Sequence, residues 1–95
     1  MVNSINYSKV VEMKYPVDTP QQLRSVLRAL RQSRQLTQTQ LGERMGVNQK
    51  RIARIEAVPE VTSFDQISRI VATLGYRLVI EEVQGVAEPS KGAAW

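Results

Sequence analysis

Residues 36–56 read LTQTQLGERMGVNQKRIARIE, and the spacing within this stretch decides the fold. Thr37 followed three residues later by Gln40 is a capping-box pattern, in which a hydroxyl and an amide satisfy free N–H groups at a helix start. Leu41 and Met45 then lie four apart on one face, and Gly46 is the residue type that takes the left-handed conformation at a helix end. Val47 turns inward, Asn48 caps a second helix, and Ile52 and Ile55 give that helix its apolar side. The same spacing leaves Gln49, Lys50, Arg51 and Arg54 pointing away from the core. Two short helices thus meet at a glycine, and the second opens with a bare polar and cationic tip.

The flanks extend this pattern. Towards the N-terminus, Thr19 is placed to cap and Pro20 suits a first helical position, where its missing N–H costs nothing. Leu23, Val26, Leu27 and Leu30 predict a helix over about 20–34, with Arg24, Arg28 and Arg31 on a neighbouring flank. Towards the C-terminus, residues 57–61 read as a loop broken by Pro59. Thr62 or Ser63 then caps a helix over about 63–74 that buries Phe64, Ile67, Ile70, Val71 and Leu74 and ends at Gly75. Residues 76–83, YRLVIEEV, form the best strand candidate, β-branched and aromatic with partial alternation. A lone strand cannot satisfy its own backbone groups, so it needs the N-terminal segment or the same strand of a second copy. Residues 1–18 form an arm without a clear element, and 84–95 a tail of glycine, alanine, proline, serine and charge that finishes in Trp95.

Composition narrows the functions open to such a chain. Its 95 residues suit one small domain with tails, which oligomerisation would help to stabilise. The net charge is +4, but its distribution says more. Residues 21–55 hold eight basic side chains and one acid, a net +7, so the remainder carries −3. A basic centre between slightly acidic ends has the pattern of a nucleic-acid footprint. With neither cysteine nor histidine, disulfides, Cys/His zinc sites and His-activated nucleophiles are excluded. Glu81 and Glu82 have no facing acid or histidine in sequence reach, and read as charge on a strand edge. No catalytic residue, metal ligand or cofactor is therefore expected. No apolar run nears the roughly 18–20 residues that span a bilayer, and polar residues interrupt the N-terminus where a signal peptide would be apolar. The expectation is a cytoplasmic protein with no membrane partner.

A short helix, a glycine turn and a second helix with a polar cap form the helix-turn-helix arrangement. The first helix rests across the DNA backbone, and the leading end of the second enters the major groove. The stretch resembles the Xre/Cro-type helix-turn-helix family through Thr37, Gln38, Leu41, Gly46, Val47, Ile52, Ile55 and Glu56, over about residues 20–75. Gly42 departs from the pattern, which usually has alanine there. Within that family, the arm KYPVDTPQQL, the segment YRLVIEEV and the tail ending in tryptophan resemble the HipB-type antitoxins, which repress their own operon and bind a HipA-type kinase toxin.

The resemblance implies a mainly α, lambda-repressor-like bundle over residues 19–75 with a C-terminal β-strand, 76–83, paired across a homodimer through Leu78, Val79 and Ile80. It implies base reading by Gln49, Lys50 and Arg54, with Asn48 and Ala53 at the margin. Phosphate binding falls to Gln38 with Thr37 beside it, to Arg34, and to Arg51, which has a base as its other option. Trp95 is either an anchor in the toxin partner or an unordered end. Glu56 either pairs with a basic residue of the first helix or is solvated. The expected function is a repressor of a palindromic double-stranded operator, acting as an antitoxin. Its alternatives are a stand-alone phage-type or metabolic repressor, and a protein-interaction module on the same scaffold.

Overall fold

The computed structural model describes residues 13–85. Among them are four α-helices: α1 (Pro20–Ser33), α2 (Gln38–Met45), α3 (Gln49–Ala57) and α4 (Phe64–Thr73), with a 3-10 turn, Pro59–Val61, between α3 and α4. Every helix starts on a side-chain cap. The hydroxyls of Thr19, Thr37 and Ser63 and the amide oxygen of Asn48 each accept the N–H three residues on, and Gln22 and Gln40 complete reciprocal capping boxes on α1 and α2.

Three of the four α-helix ends share a device too. Val47 donates its N–H to the Gly42 carbonyl at 2.8 Å while Gly46, at φ +75°, donates to Glu43, which is the double bond of a Schellman motif. Tyr76 and Gly75 close α4 in the same way on Val71 and Ala72. On α1 the bonds run from Leu36 to Arg31 and from Gln35 to Gln32, and here the left-handed position is filled by Gln35, at φ +58°. A side chain in that conformation costs roughly 1–2 kcal/mol relative to the ordinary helical region.

Leu27, Leu30, Leu41, Met45, Ile52, Ile55, Ile67, Ile70, Val71 and Leu74 make the core, with Val47 and Leu36 packed against its edge. A side chain such as Leu41 or Ile52, fully buried, contributes about 1.5–3 kcal/mol. Gly42 explains why α2 and α3 meet so closely. A Cβ there would lie 2.6 Å from the Val47 carbonyl oxygen, so the departure from alanine makes room for the turn itself.

Three expectations change. Phe64 follows the apolar periodicity of α4, yet it is 72% exposed. It opens the helix a turn before Ile67, the first α4 residue to reach the core, so the stripe begins outside the packed region. The loop at 57–61 is partly ordered as the 3-10 turn, with Pro59 at its first position and buried. Residues 76–83 form no strand. Beyond Tyr76 they make no backbone hydrogen bond among the described residues, because no second ladder of backbone groups lies beside them. Residues 13–15 approach them by side chains alone: Lys14 pairs with Glu81 at 3.0 Å, and Tyr15 meets Tyr76 edge to face. Trp95 and residues 1–12 lie outside the described residues.

Candidate nucleic-acid interface

The leading end of α3 is built on the turn that Gly46 makes. Asn48 is non-helical, with its side chain turned back onto the Arg51 N–H at 2.9 Å, so its cap function holds the first turn in place. Ile52 and Ile55 are pulled into the core, and the helical phase then sends the side chains between them outward. Asn48, Gln49, Lys50, Arg51 and Arg54 are exposed, and Ala53 is half-buried. Among the described residues none of Lys50, Arg51 and Arg54 has a carboxylate within ion-pair distance. Their charge is therefore uncompensated locally and available to an external anion.

The start of α2 sits beside this tip. Gln38 is half-buried, and its side-chain oxygen accepts a 2.7 Å bond from the amide nitrogen of Gln49. The Gln38 amide nitrogen in turn donates to Glu56 Oε1 at 3.0 Å. Glu56 is 2% exposed and holds Arg31 through two bonds, 2.6 Å from Nε and 3.0 Å from Nη2. A further nitrogen of Arg31 reaches the Leu36 carbonyl at 2.9 Å, tying α1 to the turn before α2. Of the two readings of Glu56, pairing with a basic residue of the first helix is the one realised. The burial of that pair was not legible, since Glu56 follows the apolar Ile55 with no sequence mark of enclosure.

The sequence also grouped Arg34 with the phosphate-binding side chains. Its guanidinium donates from Nε to the Leu74 carbonyl at 2.8 Å and stacks 4.7 Å over the Tyr76 ring. It serves as a brace between the C-terminal ends of α1 and α4. Arg51 leans towards α4, donating to Gln66 at 3.3 Å. Thr37 is exposed, and its hydroxyl is occupied as the cap of α2. Leu78, Val79 and Ile80 are exposed, Ile80 by 98%.

An amphipathic helix pair joined at a left-handed glycine, with a polar tip held outward by a capping asparagine, has the geometry of a groove-reading element. Residues 22–78 match the family described as helix-turn-helix domain. The chain belongs to that family. Comparisons with curated proteins and with solved structures gave no match. Membership brings a DNA-binding regulator as the functional class, in a family that is typically non-enzymatic. Among the described residues no cluster of three or more His, Cys, Asp or Glu side chains is placed to hold a metal, and no helix is long and apolar enough to cross a membrane.

Proposed function

We propose that the helix-turn-helix chain is a sequence-specific transcriptional repressor that binds a palindromic operator as a homodimer. The observation that carries this reading is the exposed tip of α3, with Gln49, Lys50 and Arg54 all facing solvent above a buried Ile52–Ile55 side and no carboxylate paired with its cations among the described residues. A glutamine amide matches the donor–acceptor pair of adenine, and lysine or arginine matches guanine N7 and O6. Asn48 and Ala53 flank these readers. Gln38 at the first position of α2 and Arg51 in the first turn of α3 fix the protein on the phosphates, where free helix N–H groups favour an anion.

The homodimer rests on residues 76–83. Leu78, Val79 and Ile80 are apolar, exposed and without backbone partners among the described residues, a state that pairing with a second copy would resolve. Two-fold pairing would set two α3 helices about 34 Å apart, one duplex turn. We further propose that the repressor is an antitoxin of the HipB type, with a HipA-type kinase as its toxin and Trp95 as the side chain offered to it. The support for this step is the sequence resemblance of the arm, the 76–83 segment and the tail.

Selection of duplexes from a random pool, followed by titration at graded salt, tests the DNA-binding reading. The expected result is an enriched inverted repeat with half-sites about 10 bp apart, and an affinity that falls steeply with salt. Weak binding without any enriched sequence would favour an interaction module on the same scaffold. Co-purification of a kinase-like protein, lost on removing Trp95, is the result expected of the antitoxin; its absence leaves a stand-alone repressor.

A further inference from the structure

The bonds between Arg31, Glu56, Gln38 and Gln49 run in one direction, and that direction is fixed at the buried end. The ionised carboxylate of Glu56 accepts hydrogen bonds and donates none. Having taken both nitrogens of Arg31, it meets Gln38 at 3.0 Å, so Gln38 must turn its NH₂ group inward. The Gln38 oxygen then faces α3, and Gln49 must offer its own NH₂ to it, at 2.7 Å. What remains to Gln49 on the outside is its oxygen and its second N–H. These are one acceptor and one donor, the pair that adenine N6 and N7 require.

A glutamine free in solution presents its amide either way round, and thereby tolerates more than one base edge. We infer that Glu56, though 2% exposed, is a positioning residue for base selection: through Gln38 it fixes the orientation of the Gln49 amide and so selects the adenine of an A·T pair. The inference rests on the proposed base-reading role of Gln49 and adds to it the source of its polarity. Arg31 holds the carboxylate in place through two bonds, and Gln38 transmits the orientation between the helices.

The test replaces the buried pair rather than breaking it. Exchange of a buried ion pair for apolar side chains of similar size is often neutral for stability, whereas removal of one partner strands a charge. The Arg31→Met/Glu56→Leu double variant therefore removes the anchor, and circular dichroism checks that it folds. If it does not, Gln38→Met cuts the chain one link later and leaves the ion pair intact. The phosphate contact proposed for Gln38 goes with it and lowers affinity for all sequences alike, so base preference is the quantity read. Two readings follow. Without DNA, the ¹⁵N order parameter of the Gln49 side-chain amide should drop in the variant to that of the exposed Gln21. With DNA, discrimination for A·T at the base pair read by Gln49 should fall about tenfold, in line with the loss of one bidentate contact. Positions read by Lys50 and Arg54 should keep their preference.

An unchanged Gln49 amide signal would overturn the relay by itself. An equal loss at every base pair would overturn it too, since a merely structural pair would act uniformly. A wild-type profile flat at all positions would instead remove the base-reading role beneath the inference, and the amide signal would tell the two failures apart.

Discussion

The tip of α3 and the segment after α4 are both exposed, but they are completed in different ways. At the tip, Gln49 is bonded to Gln38, Gln38 to Glu56 and Glu56 to Arg31, so an outward-facing side chain is tied to the buried core by three successive contacts. In the segment, Val79 and Ile80 are 70% and 98% exposed, and no backbone ladder supports them among the described residues. A surface meant to read a rigid groove gains from being fixed in advance, since ordering it during binding would cost affinity. The segment, if it pairs with a second copy as proposed, can stay incomplete until that copy arrives.

This contrast predicts a steep gradient of mutational effects. Glu56→Ala strands the Arg31 charge in the interior and should cost about 3–5 kcal/mol in chemical denaturation. A loss below 1 kcal/mol would mean that the pair is solvated and the tip unanchored. Gly42→Ala drives a Cβ towards the Val47 carbonyl and should cost about 1–3 kcal/mol, because the obstacle is backbone and yields poorly. Wild-type stability there would show that the turn can relax. Gln35→Gly should act in the opposite sense, adding roughly 1 kcal/mol by removing the left-handed side chain at the end of α1. Ile80→Lys should change the stability of the isolated chain by less than about 0.5 kcal/mol, since the side chain touches little within its own chain. The same substitution should abolish dimerisation in sedimentation velocity. A large loss of monomer stability would place residues 76–83 in the core of the single chain.

What was legible in the sequence was local. Thr19, Thr37, Asn48 and Ser63 cap through bonds that span three residues, and Gly46 and Gly75 end helices through their own backbone, so short windows contain the whole cause. The buried stripe of Leu27, Leu41, Ile52, Ile55 and Ile70 was legible from helical periodicity for the same reason. Phe64 was misread because periodicity gives the face of a helix but not how far along it the core extends. The contacts of Arg34 were not legible because its partners, Leu74 and Tyr76, lie some 40 residues away and carry no sign of the pairing. Around the candidate site, the exposure of Gln49, Lys50 and Arg54 followed from spacing, and a partner for Glu56 on the first helix was one of two readings. The amide chain through Gln38 was not, because two glutamines 11 residues apart announce no contact until the glycine turn brings their helices together.

The base-reading role proposed for the tip of α3 is tested most directly by comparing wild type with Gln49→Ala on a library that varies each base pair of the selected operator. The account predicts that preference is lost by about tenfold at one base pair in each half-site while the other positions keep theirs. An equal fall in affinity for operator and random DNA would contradict it.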